Sequence, residues 1–319
     1  MDFDDYLEEA QKGRKIYEQL VKEYGCNKIF LCPYTGTGDI YLIGTFWEEY
    51  LRKKQITNYI FIVITRACEK VTRLFDIKNV VLFEHKEDAG CLIRYYMMHR
   101  DTVDLKLLND SWKQNHVNPI EWFRGYKGLD FRTLFCSYVF DFPSNVFGRH
   151  PDINRFQNKV NTIFEQNRLE KGNTVVIAPY SNTLMELPDT FWLDIVDELK
   201  KKRYVVCTNC GGKKEKEIEG TIRLDLSLQY VPQLVQQAGF FIGVRSGLCD
   251  IISGTYARKV ILYDKHERFY NCSSYEYFSL EKTYLCTELC EIEIDLNELE
   301  PVRKRIADLL CADGWNAVH

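Results

Sequence analysis

The sequence predicts an α/β protein made of two Rossmann-like domains that face each other across a cleft. Short apolar runs alternate with amphipathic stretches in both halves of the chain, which is the pattern of parallel sheets covered by helices on both faces. A segment with two prolines and a glycine, 143–151, interrupts this alternation and is the expected linker. The chain has 319 residues, enough for two separate cores. We therefore expect an N-terminal domain at 1–150 and a C-terminal domain at 151–319.

The first half begins with an extra amphipathic helix over 3–24, because apolar residues recur there at helical spacing. Three strands follow, each with a helix after it. The strands are expected at 29–33, 59–64 and 79–83, and the helices up to about Lys53, at 67–75 and at 88–100. Residues 101–142 are less regular and rich in aromatics.

The second half repeats the alternation. Strands are expected at 174–178, 204–207, 222–225, 240–244 and 259–263, and helices at 154–168, 188–201, 228–238 and from Leu248. Pro188 stands near a first helical turn, where proline is favoured. Residues 265–295 predict an irregular segment. A last helix is expected at 297–311, with packing back on the first domain as one option.

The composition is that of an ordinary globular protein, 45% hydrophobic and 28% charged, with a formal net charge of −4. A slightly acidic chain lacks the basic surplus of nucleic-acid binders. No run approaches the roughly 18 apolar residues of a membrane span, and the acidic N-terminus lacks the apolar core of a signal peptide. We expect a cytoplasmic protein with at most a peripheral membrane association.

The twelve cysteines do not predict a metal centre. Cys207 and Cys210 form one pair and Cys286 and Cys290 another, but their spacings are unequal and they lie far apart in sequence, unlike a zinc-ligand set. Cysteines in apolar runs act as small hydrophobic residues. We expect neither a metal nor a cofactor.

The loop after the first strand, Tyr34-Thr-Gly-Thr-Gly-Asp39, has the features of a ligand-binding loop. Gly36 and Gly38, with Thr37 between them, allow the backbone to approach a ligand closely. Asp39 begins the following helix at the rim of the expected cleft. Two interpretations stay open from spacing alone: a general base, or a cap for the helix.

The segment Phe240–Ile252 is the most informative part of the chain, because an apolar strand runs through a small-residue turn directly into a helix. Arg245 brings a positive charge to this turn, and Ser246 and Gly247 let backbone N–H groups face outward at a helix N-terminus. That combination suits a phosphate or diphosphate. The alternative is an ordinary strand-to-helix junction with an exposed arginine.

Two further stretches hold candidate binding residues. Ser181 and Asn182, in the first loop of the second half, could donate hydrogen bonds to the same phosphates. Residues 121–132 interleave aromatics with Arg124 and Lys127, which suits an acceptor platform for sugar rings and their acidic substituents. A solvated loop with buried aromatic anchors is the alternative for 121–132.

These loops resemble those of the bacterial lipopolysaccharide heptosyltransferase family, whose fold is of the two-Rossmann GT-B type. The Gly-Thr-Gly-Asp39 loop is similar to the family's opening loop, where the resemblance implies an aspartate beside the acceptor hydroxyl. Ala178–Thr183 before Pro188 resembles the family's small-residue loop, and Val244-Arg-Ser-Gly247 resembles its donor-diphosphate turn. Arg245 is also similar to the arginines that bind GDP-fucose phosphates in fucosyltransferases. The resemblance covers the order of elements over roughly 28–265.

The chain departs from the family pattern in four places. The family's lysine and tryptophan before the proline are Met185 and Leu187 here. The acidic residue before Ser-Gly is Arg245, and the histidine that follows the turn is replaced by Asp250 or a neighbour. The phosphate charge is therefore expected to be met by Arg245, and ADP-heptose is not assumed as donor.

The resemblance and the loop chemistry together predict an inverting, metal-independent glycosyltransferase. Asp39 would take the proton of an acceptor hydroxyl, and Arg245 with its turn would stabilise the leaving nucleoside diphosphate. The first domain would bind a glycan, lipid-linked or protein acceptor, and the second the nucleotide sugar. Three alternatives remain: a nucleotide-sugar epimerase or hydrolase on the same fold, a non-catalytic nucleotide-binding or scaffold protein, and, least favoured, a dehydrogenase, since neither half has the required G-x-G-x-x-G turn.

Overall fold

The computed structural model describes residues 3–109, 130–181, 186–212, 214–269 and 272–309. These residues divide into two compact units. The first unit takes in 3–109 and 133–151, and the second 130–132 and 152–309.

The described part of the first unit contains a parallel sheet of four strands in the order β3-β2-β1-β4. The strands are β1 Ile29–Cys32, β2 Ile60–Val63, β3 Val80–Leu82 and β4 Leu105–Leu107. The helices are α1 Phe3–Tyr24, α2 Thr37–Lys54, α3 Arg66–Thr72 and α4 Lys86–Met98. Strand β4, which lies in the less regular stretch 101–142, was not predicted, because three residues are too short for a recognisable apolar alternation. A helical segment over Phe131–Val139 begins in the second unit and continues into the first at Thr133.

Both faces of the first sheet are buried, as the continuous apolar runs of its strands require. On one face, Ile29 and Ile60 pack with Leu92 of α4 and Leu20 of α1. On the other face, Phe30 meets the ring of Trp47 edge-on at 4.8 Å. Each such buried side chain stabilises the fold by about 1.5–3 kcal/mol relative to an exposed one.

The predicted N-terminal helix is confirmed as α1. It packs along α4, where Glu9 pairs with Arg94 at 2.7 Å and Lys12 with Asp88 at 2.8 Å. The helix is therefore part of the core of the first unit.

The described part of the second unit contains a parallel sheet of six strands in the order β12-β9-β8-β5-β6-β7. These strands are β5 Thr174–Ala178, β6 Val205–Asn209, β7 Ile222–Leu224, β8 Gly239–Val244, β9 Arg258–Asp264 and β12 Leu289–Ile294. The short strands β10 Arg268–Phe269 and β11 Cys272–Ser273 form a separate antiparallel pair. The helices are α5 Gln157–Asn167, α6 Asp189–Lys201, α7 Val231–Ala238, α8 Gly247–Ile252, α9 Ser274–Phe278 and α10 Leu299–Leu309.

Strand β12 corrects the sequence analysis, which expected an irregular segment at 265–295. The strand lies at the edge of the sheet, and its apolar residues Cys290, Ile292 and Ile294 alternate with Glu291 and Glu293. Half-buried edge strands show this period-two pattern. This alternation was present in the sequence but was not recognised, because two of the six residues are glutamates.

Helix α10 packs within its own unit, against α6. Ile306 and Leu309 join the core cluster of Trp192 and Ile195, and Arg303 forms an ion pair with Asp194. Packing of this helix on the first domain stays a prediction. Among the described helices, none is long and apolar enough to cross a membrane.

Candidate functional site

The strand orders define one switch point in each sheet. With the strands of the second sheet numbered in chain order, the order is 6-5-4-1-2-3, so the order of strand addition changes sides between β5 and β8. In the first sheet, with order 3-2-1-4, the change occurs between β1 and β4. Open parallel sheets bind ligands beyond the carboxyl ends of the strands at such points. The loops singled out from the sequence follow β1, β5 and β8, and thus lie at the two switch points.

At the second switch point the ends of β5 and β8 approach closely. Ala178 pairs in register with Gly243. A Cβ atom at residue 243 would lie 2.9 Å from the carbonyl oxygen of Ala178. Only glycine fits here without displacing backbone, so Gly243 sets how near the two loops lie.

The turn after β8 leads directly into the short helix α8. Ser246 is the extended N-cap residue, with φ −155° and ψ 170°, and Gly247 is the first residue of α8. Both residues are only partly buried. The first N–H groups of a helix have no acceptor within that helix, and they favour an anion. The Ser246–Gly247 peptide is therefore the candidate phosphate contact of this unit.

Arg245 occupies a different place from the one the sequence predicted. Its side chain is 3% exposed, and the guanidinium donates 2.8 Å hydrogen bonds to both carboxylate oxygens of Asp250, which is equally buried. Further bonds run to the carbonyl oxygens of Ser246, at 2.6 Å, and Phe278, at 2.9 Å. The expectation of a guanidinium open to a diphosphate is thus corrected, because a carboxylate on α8 holds the charge inside the unit.

The electrostatics of this pair follow from its burial. Burial opposes the charged guanidinium, but the facing carboxylate of Asp250 outweighs it and raises the pKa of Arg245 above its ordinary value. The arginine therefore stays charged and neutralised in place. The neighbouring thiol of Cys249 has a pKa raised to about 11 by burial, so it is a protonated thiol at neutral pH.

The loop after β5 is described up to Ser181, which is partly buried. The hydroxyl of the preceding Tyr180 donates a 2.6 Å hydrogen bond to the carbonyl oxygen of Lys216. Asn182, the other predicted phosphate donor of this loop, lies outside the described residues, as do Arg124 and Lys127. The structure brings the loop holding Ser181 and the Ser246–Gly247 turn to the same switch point.

In the first unit, Asp39 is the third residue of α2, and Gly36 is the N-cap. Asp39 is partly buried, and its carboxylate folds back over the loop, because a Cβ at Gly36 would overlap its Oδ2 atom. Cys68 on α3 holds this loop by its thiol, which lies 3.5 Å from the carbonyl oxygen of Tyr34. The positive end of α2 stabilises a negative charge at this position. Such a carboxylate suits either role considered from the sequence, base or cap.

Sequence reasoning missed Asp250 as the partner of Arg245, although it noted that both positions depart from the heptosyltransferase pattern. The available signal was a paired change of charge. Arg245 stands where the family has an acidic residue, and Asp250 stands in the region where the family has a histidine. Among the described residues, no group of three or more His, Cys, Asp and Glu side chains is placed to hold a metal ion.

No protein-family model and no curated protein matches this sequence. Solved structures match in fold. E. coli ADP-heptose LPS heptosyltransferase II superposes with a TM-score of 0.65 at 12% identity, covering 92% of this chain and all of the other. E. coli heptosyltransferase WaaC, solved with ADP-2-deoxy-2-fluoro heptose, gives 0.55 at 12% identity over 86% of this chain and 95% of its own.

A glycosyl transferase family 9 protein from Veillonella parvula gives a TM-score of 0.53 at 12% identity, covering 84% of this chain and 86% of its own. At such identities the likeness establishes the fold. The chain has the heptosyltransferase-like GT-B fold of two Rossmann-like units, as its sequence predicted.

Proposed function

We propose that this protein is a glycosyltransferase that moves a sugar from a nucleoside-diphosphate sugar to a hydroxyl acceptor. The observation that carries the proposal is the Ser246–Gly247 turn at the β5/β8 switch point of a GT-B fold. Solved proteins of this fold hold ADP or an ADP-heptose analogue. Assignment to surface polysaccharide or glycoconjugate synthesis rests on analogy of fold.

The second unit supplies the donor chemistry in this proposal. The N–H of Gly247 donates to the diphosphate, and stabilises the negative charge that grows on it as the bond to the sugar breaks. Ser181 and Asn182 add hydrogen bonds from the neighbouring loop. Arg245 does not contact the diphosphate, since its guanidinium is committed to Asp250.

The first unit supplies the base. As the acceptor oxygen bonds to the anomeric carbon, its proton passes to the carboxylate of Asp39, and the electrons of the breaking C–O bond leave with the diphosphate. One such displacement inverts the anomeric configuration. The proposed step uses no metal ion, so EDTA should leave the rate unchanged. Acceptor contacts by Arg124 and Lys127 remain a prediction.

The test is Asp39→Asn, compared with Asp88→Asn. Asp88 is the third residue of α4, the same helical position that Asp39 has in α2, so it controls for the loss of a carboxylate at a helix start. The assay follows nucleoside diphosphate release from ADP-, GDP-, UDP- and dTDP-sugars with simple glycosides and deacylated lipopolysaccharide as acceptors. Loss of a general base lowers kcat by about 10²- to 10⁴-fold, and Asp88→Asn should retain the wild-type rate. Equal rates for wild type and Asp39→Asn would refute the assignment.

One observation favours a second candidate, a non-catalytic nucleotide-binding protein. The charge of Arg245 is neutralised by Asp250, and Met185 stands where the heptosyltransferase family has a lysine, so neither position offers a free cation to the leaving group. This candidate predicts nucleotide binding without turnover of any sugar donor. In that case Asp39→Asn would change neither binding nor products.

A further inference from the structure

We infer that Arg245 and Asp250 are positioning residues that aim the N–H of Gly247 at the ligand. The inference rests on the proposed donor role of the Ser246–Gly247 turn. The ion pair would thus contribute to ligand binding although both of its side chains are buried.

The ion pair brackets the turn. Arg245 follows the last residue of β8, whereas Asp250 lies inside α8, so the pair ties the strand to the helix across Ser246 and Gly247. Both side chains are 3% exposed, and both carboxylate oxygens are engaged. The two ends of the turn cannot move apart without breaking a buried bidentate contact.

The same guanidinium orients the peptide between Ser246 and Gly247. Its Nη1 atom donates a 2.6 Å hydrogen bond to the carbonyl oxygen of Ser246, which also accepts from the N–H of Cys249 at 2.9 Å. A trans peptide is planar, and its C=O and N–H groups point in opposite directions. Because the Ser246 carbonyl points to the buried guanidinium, the N–H of Gly247 points away from it.

A second layer of hydrogen bonds holds the guanidinium. Its Nε donates to the carbonyl oxygen of Phe278, and the hydroxyl of Tyr263 lies 3.2 Å from the same oxygen. That hydroxyl donates in turn to Glu291 on β12, and Glu291 also accepts from the hydroxyl of Ser279 at 2.7 Å. The chain of contacts therefore runs from the edge strand, through residues 278–279, to the turn.

Stability alone does not account for such a pair. A buried ion pair can often be replaced by apolar residues of similar volume at no cost in stability, whereas removing one partner is strongly destabilising. The double substitution Arg245→Met with Asp250→Leu exploits this difference. It removes both charges together and keeps the core filled, but it releases the carbonyl of Ser246.

The experiment compares nucleoside diphosphate binding by the full chain, using calorimetry with ADP, GDP, UDP and dTDP. We expect the Arg245→Met/Asp250→Leu variant to stay folded and to bind about 10- to 100-fold more weakly than wild type, the range for one hydrogen bond to a charged group. Wild-type affinity in this folded double variant would overturn the inference.

Gly247→Pro tests whether the ion pair affects nucleotide binding through the N–H of Gly247. Proline is tolerated at the first position of a helix, and the extended conformation of Ser246 suits a following proline. The substitution removes the N–H itself, and it should weaken binding by a similar factor. If Arg245 acts through this N–H, Gly247→Pro combined with the double substitution should bind no more weakly than Gly247→Pro alone. If the triple variant instead binds more weakly than Gly247→Pro alone, by the product of the two separate factors, the inference is overturned and the double substitution acts by a general loss of structure.

Arg66→Pro is the control, because it places proline at the first position of α3 after the extended N-cap Thr65; it should bind as wild type does. If the double variant does not fold, Tyr263→Phe replaces it. This change removes one hydroxyl from the second layer and should weaken binding, and unchanged affinity would count against the inference. Failure of wild type to bind any nucleoside diphosphate would overturn the proposed function itself, before any substitution is made.

Discussion

The loops after β1 and β8 differ in where they place a charged side chain. In the first unit, Asp39 is partly buried on the first turn of α2, and its carboxylate folds over Gly36. In the second unit, Arg245 directly follows β8, and its side chain turns inward to Asp250. The difference lies in the following helix, because Asp250 on α8 holds the Arg245 guanidinium inside the second unit.

The comparison also separates two ways of building a binding loop. The β8 turn depends on a buried network, so its changes should affect folding as well as binding. The β1 loop depends on the placement of one partly buried carboxylate, so its changes should affect activity more than stability. The following predictions test this contrast, from the largest expected effect to the smallest.

Removing one member of the buried pair should be the most damaging change to the fold. Arg245→Met alone leaves the Asp250 carboxylate buried without its cation, and should lower the free energy of unfolding by about 3–5 kcal/mol. Urea unfolding at neutral pH measures this loss, and Asp250→Leu in the same chain should restore most of it. A single variant within about 1 kcal/mol of wild type would show that the pair is not a structural unit.

Crowding the ends of β5 and β8 should cause the second-largest loss of stability. Gly243→Ala places a Cβ 2.9 Å from the carbonyl oxygen of Ala178, so the strands must separate. We expect a loss of about 1–3 kcal/mol, as for other overpacked sites. Gly211→Ala, after β6 of the same sheet, is the control, because its Cβ would meet its nearest neighbour at an ordinary 3.9 Å. A neutral Gly243→Ala would mean that the two strand ends separate freely.

The β1 loop should show the reverse balance of effects. Gly36→Ser adds a Cβ that pushes the flexible Asp39 carboxylate aside, while serine is a better N-cap than glycine. Stability should therefore change by less than about 0.5 kcal/mol or rise, whereas kcat should fall. Unfolding and steady-state rates measured on the same preparation separate the two. Full activity would show that the observed carboxylate position is not the reactive one.

The smallest effect concerns an exposed pair at the ends of β9 and β12. His266 lies 3.0 Å from the carboxylate of Asp295, and this hydrogen bond, with those from the backbone and side chain of Asn297, lowers the pKa of Asp295 from 3.8 to about 2. The pair therefore stabilises the protein above the ordinary pKa and loses this effect as the pH falls from about 4 towards about 2. His266→Ala should flatten that part of the stability curve, as measured by urea midpoints. An unchanged curve would show that the pair contributes nothing.

The sequence predicted what depends on local pattern. Apolar runs that end in glycine, proline or serine marked the loops after β1, β5 and β8, and helical spacing marked α1. The strand order was not predicted, although two alternating halves restrict it, because parallel strands joined by helices follow few topologies. The structure and its solved neighbours confirm this fold.

What the sequence did not predict depends on contacts between elements. The orientation of Arg245 is decided by Asp250 on the next helix and by a carbonyl at residue 278, neither of which a strand pattern reveals. Strand β12 was missed because Glu291 interrupts its apolar residues. In the structure the carboxylate of Glu291 accepts hydrogen bonds from the hydroxyls of Tyr263 and Ser279. In both cases a polar side chain that looked like a surface residue was part of a buried network.

The most direct test of the account is equilibrium binding of ADP, GDP, UDP and dTDP to wild type and to Gly247→Pro. The account predicts that at least one of these nucleoside diphosphates binds wild type. It also predicts that removal of this single N–H weakens that binding by about 10- to 100-fold. Equal affinity in the two proteins, or no binding to wild type, would contradict the assignment of the Ser246–Gly247 turn as the donor site.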